Sequence, residues 1–175
     1  MAVQREIAID AERRFCRNRG MIRTRIAVVI VALSVIATGA CFAANPHMGT
    51  WKLNEAKSRL TPGMGKNTMV VYTEQKEKVK VTVEGVDKNG KPTHGVWVGK
   101  FDGKAYPEKG NLSFDSAAYK VVNDRANDIT TWKNGKMVWT GRIEVAKDGK
   151  SRTAMINGTD DKGKKFTNTA VYDKQ

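Results

Sequence analysis

Tight-turn signals recur along the chain at intervals that leave no room for a helix between them. Asn89-Gly90, Asn134-Gly135 and Asp148-Gly149 are dipeptides that supply the positive φ of short hairpin turns. Apolar and polar residues alternate between the turns, most clearly over residues 78–86, where three valines share one face. Strands joined by such short turns run antiparallel to their sequence neighbours. The pattern therefore predicts an all-β chain of consecutive hairpins.

The first strand is predicted around Gly49–Leu53, where Trp51 and Leu53 lie two residues apart and so share a face. Later strands are predicted at 68–73, 78–86, 93–101, 104–106, 115–122, 129–133, 136–145, 152–158 and 166–172. Residues 107–111 are expected to form a loop, and residues 54–67 a helical turn or two followed by loop. About ten strands in up-and-down order are expected to close into a single antiparallel barrel, since closure removes exposed edges. A two-sheet β-sandwich of the same strands is the alternative.

One turn sequence occurs twice. Residues 85–91 and 158–164 both read G-x-D-x-x-G-K. The acidic ligand that a calcium loop needs further along is missing, so these segments are not expected to bind metal. We interpret them as two instances of one favourable hairpin turn, not as a duplication.

An apolar run, Ile26–Ala40, precedes the predicted barrel and has the length of a signal-peptide core. It is short for a membrane-spanning helix, which needs about 20 apolar residues. Cleavage is expected after Ala43 or Ala44, so that residues 1–44 are a signal peptide and residues 45–175 a single β-barrel domain. An uncleaved anchor helix is the alternative. Cleavage would make the protein periplasmic or secreted.

The residues before Met21 fit such a signal poorly, because three acidic groups lie among their arginines. A chain begun at Met21 would carry an ordinary signal, so Met21 is a candidate true start. Cys16 and Cys41 both lie within residues 1–44. The barrel domain then has no cysteine, which excludes disulfides, thiolate nucleophiles and zinc–thiolate sites there. Lipidation at Cys41 is disfavoured, because Thr38 stands where a lipoprotein signal usually has a leucine-like residue.

The barrel domain is basic. Residues 45–175 hold 24 lysines and arginines against 15 acidic residues, a net charge of +9, and 20 of the 24 are lysine. Lysine at turns and strand edges guards against edge-to-edge aggregation. The alternative is attraction to anionic envelope polymers or a lipid surface. Specific nucleic-acid binding is not expected, because the charges form no dense arginine-rich face.

No reaction centre is apparent in residues 45–175. His47 lies beside the expected mature N-terminus and is expected to be frayed, and His94 is a lone strand histidine. The serines lack the surroundings of an activated nucleophile. We therefore expect a monomer that is not an enzyme, with no catalytic residue, no metal and no cofactor.

The aromatic residues are the main candidates for a binding function. Some of them are expected to fill the core and others to line a cavity at the barrel mouth, with a polar group orienting the ligand. The candidate lining residues are Trp51, Tyr72, Trp97, Tyr119, Trp132, Trp139, Arg142 and Tyr172.

Both ends of the domain resemble known barrel proteins. Gly49-Thr50-Trp51-Lys52-Leu53 resembles the G-x-W opening of the lipocalins and fatty-acid-binding proteins, the calycins. Residues 169–174 are similar to the closing Thr-Arg-x-Tyr-acidic-Lys strand of the fatty-acid-binding proteins, and the resemblance implies that Tyr172 matches their ligand-carboxylate tyrosine. Ala170 stands where that family has the partner arginine, and residues 54–67 are too few for its two-helix lid. The opening also resembles that of small exported bacterial proteins beginning Asn-Pro-x-x-Gly-Thr-Trp-Lys-Leu-Asn.

Two functions follow from these observations. The first is an exported, lipocalin-like barrel that binds a small apolar or amphipathic ligand without transforming it. The second is an envelope structural or interaction protein, whose lysine-rich surface contacts anionic polymers or membrane. The two differ in whether a ligand enters the barrel and in whether binding weakens with salt.

Overall fold

The computed structural model describes residues 45–160 and 162–175. The expected signal peptide, the start at Met21 and the disfavoured lipidation at Cys41 fall on residues 1–44 and lie outside the described residues. They stay predictions. In the part of the chain that the structure describes, no helix is both long and apolar enough to cross a membrane.

Ten strands make up most of the described chain. They are β1 (Gly49–Leu53), β2 (Lys66–Gln75), β3 (Lys78–Val86), β4 (Pro92–Gly99), β5 (Tyr106–Gly110), β6 (Ser116–Asn123), β7 (Ala126–Lys133), β8 (Lys136–Val145), β9 (Ser151–Thr159) and β10 (Lys165–Lys174).

Every strand pairs antiparallel with its sequence neighbours, and β1 also pairs with β10. The closing register sets Trp51 opposite Lys174 and Leu53 opposite Tyr172. The ten strands therefore form a closed up-and-down barrel. The predicted fold class is confirmed, and the two-sheet alternative is wrong because a sandwich would leave β1 and β10 unpaired with each other.

The strand predicted at 104–106 is displaced along the chain. The structure has β5 at Tyr106–Gly110, within the segment expected to be a loop. Pro107 lacks an N–H, but it sits opposite Ser116 where only two residue pairs join β5 to β6. On the other side, Gly110 lies opposite Gly95, and this pairing extends β5 past the proline.

The repeated G-x-D-x-x-G-K sequence forms the same turn in both places. The Asp87 carboxylate accepts the N–H groups of Asn89 and Lys91 at 2.8 and 2.9 Å. The Asp160 carboxylate accepts those of Lys162 and Lys164 at 2.9 and 2.8 Å. The hydrogen bonds from Lys91 and Asn89 lower the pKa of Asp87, because they favour its charged form. Asx hydrogen bonding at a hairpin therefore explains the repeat.

Of the one or two helical turns expected in residues 54–67, the structure has one, the 3₁₀ turn Glu55–Lys57. Asn54 caps this turn by accepting the Lys57 N–H at 3.1 Å. The chain is then drawn onto β10, because backbone bonds link Arg59 and Thr169 in both directions at 2.7 and 2.8 Å. Strand pairing thus ends the helical segment before Pro62 is reached.

The interior is identified by the cross-strand register, since residues opposite each other share a face. Tyr72 faces Val81, Val81 faces Trp97, and Tyr172 faces Arg152. Some inward positions are glycines, and large neighbours occupy the space beside them. Leu112 packs over Gly95, and Phe166 packs over Gly158. Side chains therefore fill the barrel interior.

Candidate functional site

An aromatic cluster occupies the interior where β4 leads into β5. Trp97 lies at its centre, with its ring centroid 4.7 Å from that of Tyr119 and 6.1 Å from that of Phe101. Tyr72 makes edge contacts with Phe101 and Tyr119, each at 6.4 Å. Trp97 Nε1–H donates to the Ala117 carbonyl at 2.9 Å, which satisfies the one polar atom of the indole.

Arg152 is the charged residue of this interior. It lies near the start of β9, opposite Tyr172, and its side chain is only 3% exposed. The guanidinium carbon lies 5.0 Å from the ring of Trp51, 4.8 Å from that of Tyr72 and 4.9 Å from that of Tyr172. Each such contact attracts a cation to the ring face and contributes about 0.5–2 kcal/mol, more when water is excluded. Three aromatic faces thus enclose one buried cation.

Two donors of this guanidinium have no acceptor. Arg152 Nε and Nη1 are buried and make no hydrogen bond within residues 45–160 and 162–175. Arg152 also takes part in none of the ion pairs of those residues. Removing a cation from water without a counterion costs several kcal/mol, which the ring faces offset only in part. Arg152 is therefore suited to an anionic group.

His47 lies beside this cation. It is 2% exposed, its ring meets Phe101 edge-on with centroids 6.3 Å apart, and its carbonyl accepts Trp51 Nε1–H at 2.9 Å. The expectation that His47 is frayed is therefore wrong. Burial, reinforced by the charge of Arg152, lowers the pKa of His47 to about 4. The imidazole ring of His47 is therefore neutral near pH 7.

Tyr119 and Tyr172, which lie near Arg152, stay neutral as well. Burial raises the pKa of Tyr172 to about 12, although the charge of Arg152 opposes this shift. Burial also raises the pKa of Tyr119 well above its usual value. The Tyr172 hydroxyl donates to the Asn67 carbonyl at 3.3 Å. Arg152 therefore carries the formal charge of this cluster at neutral pH.

The burial of His47 makes folding depend on pH. Unfolded histidine titrates near 6.5 and folded His47 near 4, so between these values the unfolded chain binds more protons. We expect His47 to remove about 3 kcal/mol of unfolding free energy as the pH falls from about 7 to about 4. Urea unfolding across this range measures the loss. His47→Gln should abolish that part of the pH dependence, and exposed His94→Gln should retain it; an unchanged profile in His47→Gln would contradict the assignment.

Six of the eight predicted lining residues point into the interior. Trp51, Tyr72, Trp97, Tyr119 and Tyr172 are buried in the core cluster, and Trp139 lies partly buried on the same inward face, opposite Gly158. The structure brings Trp51, Tyr72 and Tyr172 together around Arg152, and Trp97 and Tyr119 pack beside them.

Trp139 packs edge-on against Phe114 at 5.5 Å, and both residues pack against the core cluster. The other two predicted residues do not point into the interior, and Trp132 is half-buried outside the core cluster. Arg142 lies on the outer face, where its Nε donates to the Asp128 carboxylate at 2.8 Å. It does not line the interior, because it alternates with Ile143, which points inward. Arg152 is the arginine that reaches the interior.

Two concavities of the described residues lie on the surface. One, of about 380 Å³, is formed where β8 and β9 separate, and it is lined by Lys133, Lys136 and Trp139 among others. The second, of about 410 Å³, lies beside the 3₁₀ turn and the end of β10. Within the described residues, no group of three or more His, Cys, Asp or Glu side chains is placed to hold a metal ion. The chemistry of the site therefore resides in Arg152 and His47.

Sequence reasoning missed both residues. Arg152 alternates with Ala154 and Ile156, an inward-facing pattern that is the sequence signal for its position. His47 carries no comparable signal, since its burial depends on the turn in which Met48 N–H donates to the Asn45 carbonyl.

No protein-family model and no curated protein matches the chain. Solved structures that are remotely similar to the chain include two barrels bound to DFHBI. One is EF1p2_mFAP2b bound to DFHBI, with 13% identity, a TM-score of 0.44 and coverage of 76% of this chain and 97% of the other. The second is a redesigned beta barrel, mFAP1, bound to DFHBI, with 16% identity, a TM-score of 0.40 and coverage of 75% and 98%.

Proposed function

We propose that this protein is an exported, non-catalytic barrel that binds a small amphipathic molecule with an anionic head group. The observation that carries the proposal is the pair of unpartnered guanidinium donors of Arg152, enclosed by the rings of Trp51, Tyr72 and Tyr172. Each of these donors can make a charge-assisted hydrogen bond to an anionic oxygen. The surrounding rings favour an apolar body attached to that head.

The apolar body needs space that side chains now occupy. Leu112 packs over Gly95 from the connection between β5 and β6, and Phe114 follows on the same connection. Both residues lie in a short segment between two backbone hydrogen bonds. Asn111 N–H donates to the His94 carbonyl before this segment, and Asp115 N–H donates to the Trp132 carbonyl after it. Swinging these side chains outward breaks no strand pairing. We propose that a ligand tail takes their place against the inward glycine.

Binding is tested by titrating the purified protein with sodium decanesulfonate and, in parallel, with decan-1-ol, below their aggregation concentrations. The two share one alkyl chain, and only the sulfonate offers a charged acceptor. We expect saturable one-to-one binding, read by tryptophan fluorescence, with the sulfonate at least tenfold tighter. A charge-assisted hydrogen bond of about 1.5–3 kcal/mol supports that ratio.

Salt distinguishes an interior site from surface adsorption. Because Arg152 is buried, the affinity for decanesulfonate should change little between low and high salt. Equal affinity for the sulfonate and the alcohol, or no saturable binding of either, would contradict the proposal.

The filled interior favours a second candidate function, an envelope protein that contacts anionic polymers or membrane through its lysines. Residues 45–175 carry a net charge of +9, and no lysine or arginine of the described residues other than Arg152 is buried. Such binding would be abolished by high salt. Substitution of Arg152 would leave such surface binding unchanged.

Export rests on the sequence of residues 1–44. We propose that cleavage after Ala43 or Ala44 releases the barrel into the periplasm or the medium. N-terminal sequencing of the mature protein should then begin at Ala44 or Asn45. A mature protein that retains the apolar run from Ile26 would instead indicate an anchor.

A further inference from the structure

Four buried nitrogen atoms close to one another have no hydrogen-bond partner within the described residues. Two are the ring nitrogens of His47, and two are Nε and Nη1 of Arg152. Trp51 links the two residues, because its indole N–H donates to the His47 carbonyl at 2.9 Å and its ring lies 5.0 Å from the guanidinium carbon of Arg152. Buried polar atoms are nearly always paired in folded proteins, so four unpaired nitrogen atoms on two neighbouring residues call for an explanation.

The protonation state of His47 decides what these atoms can bind. Neutral imidazole has one donor and one acceptor, whereas imidazolium has two donors. With His47 protonated, all four nitrogens become donors, which matches an oxyanion, a group that only accepts. The pair would then offer two cations to one anion.

Among the described residues, the other groups around His47 and Arg152 do not supply an anion. Tyr72 on β2, Tyr119 on β6 and Tyr172 on β10 surround Arg152, and the pKa values of Tyr119 and Tyr172 are raised by burial. Lys174 lies 5.1 Å from the Trp51 ring and adds a further cation. The charged groups that face the pair in the described residues are therefore cationic.

We propose that His47 and Arg152 together form a binding site for an oxyanion head group, and that binding is coupled to uptake of a proton by His47. The inference rests on the proposed function and adds a second ligand-contacting residue and a pH dependence to it. The head group is a carboxylate, sulfonate, sulfate or phosphate, which all present acceptor oxygens. It can belong to an amphiphile or to a free ion.

The sign of the coupling follows from the charges. Without an anion, burial and the charge of Arg152 hold the pKa of His47 down, to about 4. A bound anion neutralises Arg152 and accepts from imidazolium, so it raises the pKa of His47. The affinity for the anion must then rise as the pH falls from the pKa of His47 in the complex to its pKa in the free protein, about 4. The rise is at most about tenfold per pH unit, and the affinity levels off below about pH 4.

The test measures the affinity of the purified protein for decanesulfonate by calorimetry between about pH 7.5 and about pH 4.5. Sulfonate stays ionised throughout, so only the protein titrates. We expect at least tenfold tighter binding near pH 5 than near pH 7.5. Repeating the titration near pH 5 in buffers of different ionisation enthalpy should show uptake of up to one proton. Inorganic sulfate, titrated in parallel, tests whether the head group alone suffices.

Two histidine variants assign the proton. His47→Gln keeps polar atoms but cannot charge, so it should bind with a flat pH profile and no proton uptake. Exposed His94→Gln should behave as the wild type does. Proton uptake that persists in His47→Gln, or a flat wild-type profile, overturns the coupling. If binding still requires Arg152 in that case, the proposed function stands; if no decanesulfonate binds at any pH, both fall.

Discussion

Arg152→Met should reduce the affinity for decanesulfonate by about a hundredfold or more and leave the affinity for decan-1-ol nearly unchanged. The side chain supplies two unpartnered donors, and each charge-assisted hydrogen bond contributes about 1.5–3 kcal/mol. Methionine is a flexible, unbranched apolar side chain that replaces the aliphatic stem of arginine and lacks its charged end. Paired fluorescence titrations of wild type and variant measure the effect.

The same variant should not unfold more easily than the wild type. Replacing a buried charge by an apolar residue of similar volume is often neutral or stabilising, by about 1–4 kcal/mol. Three cation–π contacts are lost in exchange. Urea unfolding of the ligand-free proteins decides the balance. A variant that keeps its affinity for the sulfonate but loses stability would show that Arg152 holds the fold together and does not bind ligand.

Trp51→Ala should lower the free energy of unfolding by about 3–5 kcal/mol, a typical cost for truncating a buried aromatic side chain. Trp51 is 0% exposed and lies in β1, the strand that closes the barrel between β10 and β2. The variant also loses the bond from the indole N–H to the His47 carbonyl. The midpoint of urea unfolding, followed by circular dichroism, measures the loss.

Trp132→Ala is the matched control, because Trp132 is only half-buried and lies outside the core cluster. Trp132→Ala should lower the free energy of unfolding by less than half as much as Trp51→Ala does. If Trp51→Ala does not fold, Trp51→Phe keeps one ring but removes the hydrogen bond and part of the buried apolar volume, and should still cost about 1 kcal/mol or more. Equal losses in the two alanine variants would contradict the central position of Trp51.

The barrel could be predicted because its information is local. Alternation over residues 78–86 and the Asn134-Gly135 turn each depend on a few neighbouring residues, and together they imply neighbouring antiparallel strands. The sequence predicts the strand at 104–106 and a loop from Pro107 onward, because proline is typical of a strand end. In the structure Pro107 continues the strand by pairing with Ser116 of β6, and no turn sequence indicates this pairing. Closure through β1 and β10 was expected only from the cost of free edges.

The site was harder to predict, because it depends on contacts between distant parts of the chain. Arg142 and Tyr172 are the polar groups predicted to orient a ligand; Tyr172 does point inward, whereas alternation along β8 places Arg142 on the outer face. Arg152 lies on an inward-facing pattern, but only the rings of Trp51, Tyr72 and Tyr172 show how a charge is accommodated there. A lone His47 beside the expected cleavage site gives no sequence signal of burial.

The most direct test of an interior anion site is an isotope-filtered NMR experiment on the labelled protein with unlabelled decanesulfonate. Binding inside the barrel should give cross-peaks between ligand methylene protons and the ring protons of Trp97, Tyr119 or Tyr172, together with a shift of the Arg152 Nε–H resonance. Cross-peaks confined to outward-facing side chains such as Arg142 or Lys136, with the Arg152 resonance unmoved, would contradict an interior site.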